Sequence, residues 1–135
     1  MTIEQTLFEE AKLLIERRYP TGWGGAASIR TESGKILTSI APDTKNDGLS
    51  LCMEVGAILE AHKLDEVVTH SLCICRDDEN SPFVILTPCG ICQERLVHWG
   101  GDVKAAVSNS DNKLIFKNLR ELQPHHWSIV NGEAL

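Results

Sequence analysis

The chain has 135 residues, 42% of them hydrophobic and 24% charged, with a formal net charge of −6. That length fits one domain, 1–135, with one substantial core, and the composition excludes a disordered chain. The negative balance, with no Lys/Arg cluster larger than Arg17-Arg18, argues against a nucleic-acid partner, and no apolar run approaches the ~18 residues of a membrane span.

Thr2 begins the first element, with Gln5 three residues on as the partner of a capping box. Ile3, Leu7, Ala11, Leu14 and Arg18 follow at helical spacing, with Phe8 and Ile15 widening the stripe, until Pro20 and Gly22 stop it. This acidic, amphipathic start lacks the basic and apolar blocks of a signal peptide, and the expectation is a cytoplasmic protein. Residues 25–30 and 35–40 predict two strands around a turn at Glu32-Ser33-Gly34, and 41–50 a polar loop. A second helix is predicted over 51–63, with Leu51, Val55, Ile58 and Leu59 inward. The β-branched run 67–75 predicts a central strand, and 83–86 another. Thr87-Pro88 opens a third helix, threonine as cap and proline at its first position, which ends at Gly100-Gly101. Strands at 105–108 and 114–116 flank a turn at 109–113, and a short helix over 119–123 follows. The alternation predicts an α/β fold, a three-layer α-β-α sandwich around a mixed five-stranded sheet.

Five cysteines, an odd number, favour metal binding over a disulfide framework. Cys89 and Cys92 lie one helical turn apart, so their sulfurs point the same way, near a helix N-terminus that favours thiolates. A lone Cys-x-x-Cys also fits a redox dithiol or half of a structural zinc knot. Cys52 adds a third thiol, and Glu54, two residues on, a carboxylate. Three protein ligands leave the fourth place of a tetrahedral Zn2+ open for water, and a neighbouring carboxylate that is not a ligand can move that water's proton. Residues i and i+2 do not share a helix face, so Cys52 and Glu54 serve one site only if Cys52 sits at the mouth of its helix. Cys73 and Cys75 share one sheet face and are expected to be inert core residues.

Cys52-Met53-Glu54 followed by Pro88-Cys89-Gly90-Ile91-Cys92 resembles the zinc-dependent cytidine deaminase superfamily, in its small free-nucleoside branch of cytidine and blasticidin-S deaminases. The longer run Thr87–Leu96, the small-residue strand Gly25-Ala26-Ala27 and the pattern Leu119–Pro124 extend the resemblance over nearly the whole chain. It implies a zinc-dependent hydrolytic deaminase acting at C4 of a cytosine nucleoside or a cytosine antibiotic, and a homotetramer. Cys52, Cys89 and Cys92 would hold the metal, and Glu54 would act as base and then acid. The resemblance also implies aromatic stacking on the substrate, for which Trp23 and Trp127 are candidates unless they serve the core or a subunit interface. Backbone groups around Met53, Glu54 and Thr87 would read the cytosine edge.

Two departures from the pattern stand out. An arginine that often follows the family's Cys-x-x-Cys is Gln93 here, and three thiolates leave a zinc site with net negative charge. Arg95 either offsets that charge or faces solvent. The Asn-x-Glu element that holds the ribose in cytidine deaminases is absent from the loop 40–46, where Asp43 is either a sugar contact or a turn former. These departures keep open a non-catalytic, zinc-stabilised binding module, although such a module has no use for Glu54.

Overall fold

In the computed structural model, which describes residues 1–135, the chain starts with the predicted capping box. The Gln5 amide donates to Thr2 Oγ1 at 3.1 Å, and the Thr2 amide donates to Gln5 Oε1 at 2.9 Å. These bonds satisfy donors that a helix start otherwise leaves unpaired. The helix α1 (Ile3–Arg18) buries Leu7, Ala11 and Ile15 along one face. It ends at Tyr19, and β1 (Gly24–Thr31) passes close beneath it. A Cβ on Gly24 would lie 2.7 Å from Ile15 Cγ2 and 3.0 Å from Tyr19 Cβ, so only glycine permits this approach.

The remaining elements are β2 (Ile36–Ser39), α2 (Val55–Leu64), β3 (Val68–Arg76), β4 (Val84–Ile85), α3 (Gly90–Leu96), β5 (Lys104–Ala106), β6 (Phe116–Asn118) and α4 (Leu119–Leu122). The strands run β2-β1-β3-β5-β6, all antiparallel except the β3–β5 pair. The sheet is therefore mixed, as expected. Five strands form the continuous path, and the strand expected at 83–86 is the short β4, which pairs with β3 at Ile74 and Cys75, on the edge that β5 occupies at His70 and Ser71.

Alternation along the strands, interrupted by the irregularity between Arg30 and Thr31 where Thr31 pairs with Val68, sorts the core into two layers. Ala26, Leu72, Ile74 and Ala106 face α1, joining Leu7, Ala11 and Ile15. Ile29, Leu37 and Val68 face the other way, against Ala57, Ile58 and Ala61 of α2, Leu96 of α3 and Leu119 of α4. Burying such aliphatic side chains contributes about 1.5–3 kcal/mol each and is what holds the three layers together.

Three local expectations are corrected. The second helix begins at Val55, not at residue 51, and the residues before it form a turn closed by the Val55 amide on the Cys52 carbonyl at 3.1 Å. Leu51 and Leu59, expected inward, are 49% and 60% exposed, because the buried face of α2 runs through Val55, Ile58 and Ala61. Thr87 does not cap the third helix: its hydroxyl accepts from the Ser108 amide at 2.8 Å, and Cys89 takes the N-cap position. The last two strands and the closing helix shift from their expected bounds by a residue or two. A short 3-10 segment, Trp127–Asn131, was not expected.

Candidate active site

The late start of α2 resolves the spacing problem of Cys52 and Glu54. Cys52 lies outside the helix and Glu54 is its N-cap residue, already in helical conformation, so the two side chains are freed from opposite helix faces. Across from them Cys89 caps α3 and Cys92 sits in its first turn. The Sγ atoms of Cys52, Cys89 and Cys92 all lie within 4.8 Å of one another, and Cys52 and Cys89 approach to 3.3 Å. No other His, Cys, Asp or Glu joins this cluster. Three soft donors that converge in this way could hold a metal ion, with no fourth protein ligand from His, Cys, Asp or Glu among them.

The thiols differ in environment. Cys92 is buried, and desolvation, reinforced by the nearby Glu54 charge, pushes its pKa up. Cys89 is exposed, and the Cys92 amide that points at its sulfur lowers its pKa. Cys52 is half-buried and raised, chiefly by its contact with Cys89. A cation is what would let all three ionise together.

Arg95 reaches this cluster. Its Nη1 donates to Cys92 Sγ at 3.6 Å, and that contact raises the pKa of the arginine. One turn of α3 separates residues 92 and 95, which explains how an arginine two positions late can stand where Gln93 cannot. Gln93 instead donates to the Pro88 carbonyl at 2.8 Å and accepts from Gln123 Nε2 at 2.9 Å.

Glu54 is 97% buried by its 3% exposure, beside a cavity of about 250 Å3 lined by Ala41, Leu51, Cys52, Met53, Cys73, Leu86, Thr87 and Cys89. Met53 and Thr87 are thus brought to the site. Trp23 and Asp43 line a neighbouring cavity with Tyr19, Ala41 and Pro42. Trp127 lies elsewhere: its Nε1 donates to Glu94 Oε1 at 3.0 Å, and its ring flanks a third cavity bounded by Val97 and Leu135.

Cys73 was expected to be a core bystander, yet it lines the site cavity with its Sγ 3.5 Å from Met53 Sδ. Burial and the neighbouring Glu54 raise its pKa strongly, so it stays a neutral thiol. Its strand parity with Cys75 was legible, but which sheet face met the site was not. Ser39 and Glu94 were also missed. Ser39 Oγ donates to the Met53 carbonyl at 2.5 Å and so ties β2 to the turn that carries Cys52 and Glu54. Glu94 accepts from Trp127 and from the buried His126, whose Nε2 lies 2.8 Å from Oε2. These two donors hold its pKa below the usual carboxylate range.

A three-layer α/β/α fold carrying three convergent thiols that could hold a metal ion, with a buried carboxylate beside them, has the parts of a hydrolytic site. No protein-family model matches the chain, and no curated protein matches it. Among solved structures it is similar to the cytidine deaminase from Bacillus anthracis, at 54% identity and a TM-score of 0.95, over 97% of this chain and 94% of that one. It also resembles the cytidine deaminases from Mycobacterium leprae and Burkholderia pseudomallei, each at 19% identity and a TM-score of 0.70. Those matches cover 93% and 94% of this chain and 100% of each of the others, and they show the common fold. The chain belongs to the cytidine deaminase superfamily.

Proposed function

We propose that this protein is a zinc-dependent hydrolytic deaminase that replaces the C4 amino group of a free cytosine nucleoside, or of a cytosine antibiotic of the blasticidin-S type, with oxygen and releases ammonia. The observation that carries this reading is a buried carboxylate, Glu54, set beside three thiols that have no fourth protein partner. Cys52, Cys89 and Cys92 would hold the ion, and their soft sulfur donors, gathered within 4.8 Å of one another, suit Zn2+. Zinc bound there supplies Lewis acidity and an acidified water.

The protein's own part falls mainly to Glu54. Its carboxylate takes the proton of the attacking water and delivers it to ring N3, which makes C4 electron-poor. Once the oxygen has added to C4, the same group collects the adduct's remaining hydroxyl proton and hands it to the amine. The C4–N bond breaks as C4=O forms and the carboxylate is restored, so that Glu54 acts as base and acid in turn. Water and a cytosine ring thus become a uracil ring and ammonia. Arg95, touching Cys92, offsets part of the negative charge of three thiolates. The apolar lining, with Leu51, Met53, Leu86 and Cys73, keeps bulk water from the ring and strengthens these electrostatic contacts. Thr87 and the backbone of Met53 stand where they can meet the ring edge.

The loop 40–46 has no Asn-x-Glu pair, and this favours weighing an antibiotic beside plain cytidine. Five free cysteines suit a reducing compartment, which supports action in the cytoplasm. A homotetramer, carried by the family resemblance, would cover exposed apolar side chains such as Ile91 and Val130.

The test is bound zinc by elemental analysis, followed by ammonia release from cytidine, deoxycytidine and blasticidin S. One of the three should turn over in zinc-loaded protein, and Glu54→Ala should abolish that turnover while keeping the metal. Zinc-loaded protein that releases ammonia from none of them, or a Glu54→Ala variant that remains active, overturns the reading.

A further inference from the structure

The two helical elements that begin at the thiol cluster also end together. The first, α2, leads away from Cys52 and Glu54 and reaches its last turn at His62 and Lys63. The second, α3, leads away from Cys89 and runs on into a 3-10 turn, Val97–Trp99, that carries His98. Ala57, Ile58 and Ala61 of α2 share one core with Leu96 of α3. Beyond that core the His62 and His98 rings meet, with centres 4.7 Å apart and planes tilted by 55°.

Both imidazoles are exposed. Hydrogen bonds occupy the His126 ring, through Glu94 and Ser128, and the His70 ring, through Thr69, but neither of these two. A neutral imidazole binds a divalent ion such as Zn2+ through one ring nitrogen at about 2.0–2.1 Å. Two of them on neighbouring coordination positions, about 90–110° apart, have ring centres about 4.5–5.2 Å from each other. The observed separation falls inside that range. Each histidine also lies at the end of its helical run, where unpaired carbonyls favour a cation. Trp99 closes one side of the pair, its ring centre 4.7 Å from that of His62 and 5.0 Å from that of His98. A half-buried indole against both rings narrows their rotamers, so less freedom is lost when an ion binds.

We propose that His62 and His98 form a second metal site, a two-imidazole chelate for a borderline divalent transition-metal ion such as Zn2+ or Ni2+. Water fills the remaining positions, so the ion exchanges readily. Magnesium and calcium, which need oxygen donors, do not enter. The chelate joins the far ends of the two elements whose near ends carry Cys52, Glu54, Cys89 and Cys92. An ion there clips α2 to α3 and stabilises the fold around the thiol cluster. The chelate rests on the two rings and not on the deaminase reading above.

The experiment starts from zinc-loaded protein that has been desalted to remove loosely held ions. Zn2+, Ni2+ and Mg2+ are titrated in by calorimetry, and tryptophan fluorescence is followed with Ni2+, which quenches a neighbouring indole. Wild type should take one further equivalent of Zn2+ or Ni2+ per chain and none of Mg2+, and Ni2+ should dim Trp99 as it binds. His62→Gln, His98→Gln and His62→Phe, the last keeping a ring against Trp99, should each weaken that binding at least tenfold. Trp99→Phe should keep the binding and lose the quench. Ni2+ should raise the thermal midpoint of wild type and leave that of the histidine variants unmoved. A wild type that takes no further ion, or His62→Phe that binds as tightly as wild type, overturns the site. A further equivalent that survives in the double variant His62→Gln/His98→Gln puts the ion elsewhere and overturns it as well. Binding without any rise in the thermal midpoint overturns the clip between α2 and α3.

Discussion

Cys89 and Cys92 ride on a seven-residue helix tied down by polar side chains, whereas Cys52 and Glu54 ride on a turn held mostly by packing. On the first side Gln93 bonds to Pro88 and Gln123, and Glu94 accepts from His126 and Trp127. A helix of two turns has little stability of its own, so its position is set by these ties to the C-terminal segment. On the second side Met53 lodges over Gly25 and against Cys73, Val55 is buried, and Ser39 supplies a single hydrogen bond. The difference teaches that one cluster of thiols depends on two unlike kinds of support, one directional and exchangeable with water, the other steric.

That contrast is open to experiment, beginning with the chemistry itself. Glu54→Gln should lower turnover by about 10²- to 10⁴-fold, the usual worth of a positioned acid–base group, with zinc stoichiometry unchanged. Cys92→Ala, by contrast, should abolish stoichiometric zinc. Elemental analysis beside an ammonia assay separates the two, and loss of zinc in Glu54→Gln would show that the carboxylate is a ligand after all.

Glu94→Ala probes the polar side. It strands the buried His126 ring nitrogen, which costs about 1–3 kcal/mol, and it should speed zinc release to a chelator. Urea midpoints and chelator competition give both numbers. Ser39→Ala probes the packed side and should cost about 1 kcal/mol, with slower zinc release than in Glu94→Ala because Met53 stays wedged on Gly25. Equal release rates in the two variants would erase the contrast.

The smallest effect is a control remote from both supports. His70 is half-buried beside Phe116, with Nδ1 2.8 Å from Thr69 Oγ1, and burial lowers its pKa from 6.5. Glu4 opposes that shift, and Lys104 and Arg30 add to it. The folded imidazole resists a proton that the unfolded one accepts. Stability from this residue is therefore complete above 6.5 and lost as pH falls from there toward the folded value. His70→Phe should flatten that part of the stability curve, read from thermal melts across pH, without altering zinc release.

Much of this protein was readable from local pattern. The capping box at Thr2 and Gln5, the stripe Leu7–Ala11–Ile15 and the β-branched run of the central strand each follow from short-range rules that tertiary contacts did not override. The three thiols were legible because few other uses fit that spacing, whereas Arg95 stayed open between the cluster and solvent, since one helical turn from Cys92 permits the contact without choosing it. Local pattern misled at the start of α2, where an apolar Leu51 looked like a first helical turn but the chain needed a turn there to aim Cys52 and Glu54 at one point.

What the sequence alone determined, then, was which elements form and which residue types can bind a metal and move a proton, since both depend on neighbours within a turn of helix or a stretch of strand. Tertiary structure alone decided that Cys73 faces the site, that Glu94 anchors the C-terminal segment, and that Met53 meets Trp23 over Gly25. Those contacts join residues far apart in the chain. Their geometry follows from how layers pack on the sheet, which no short window of sequence records.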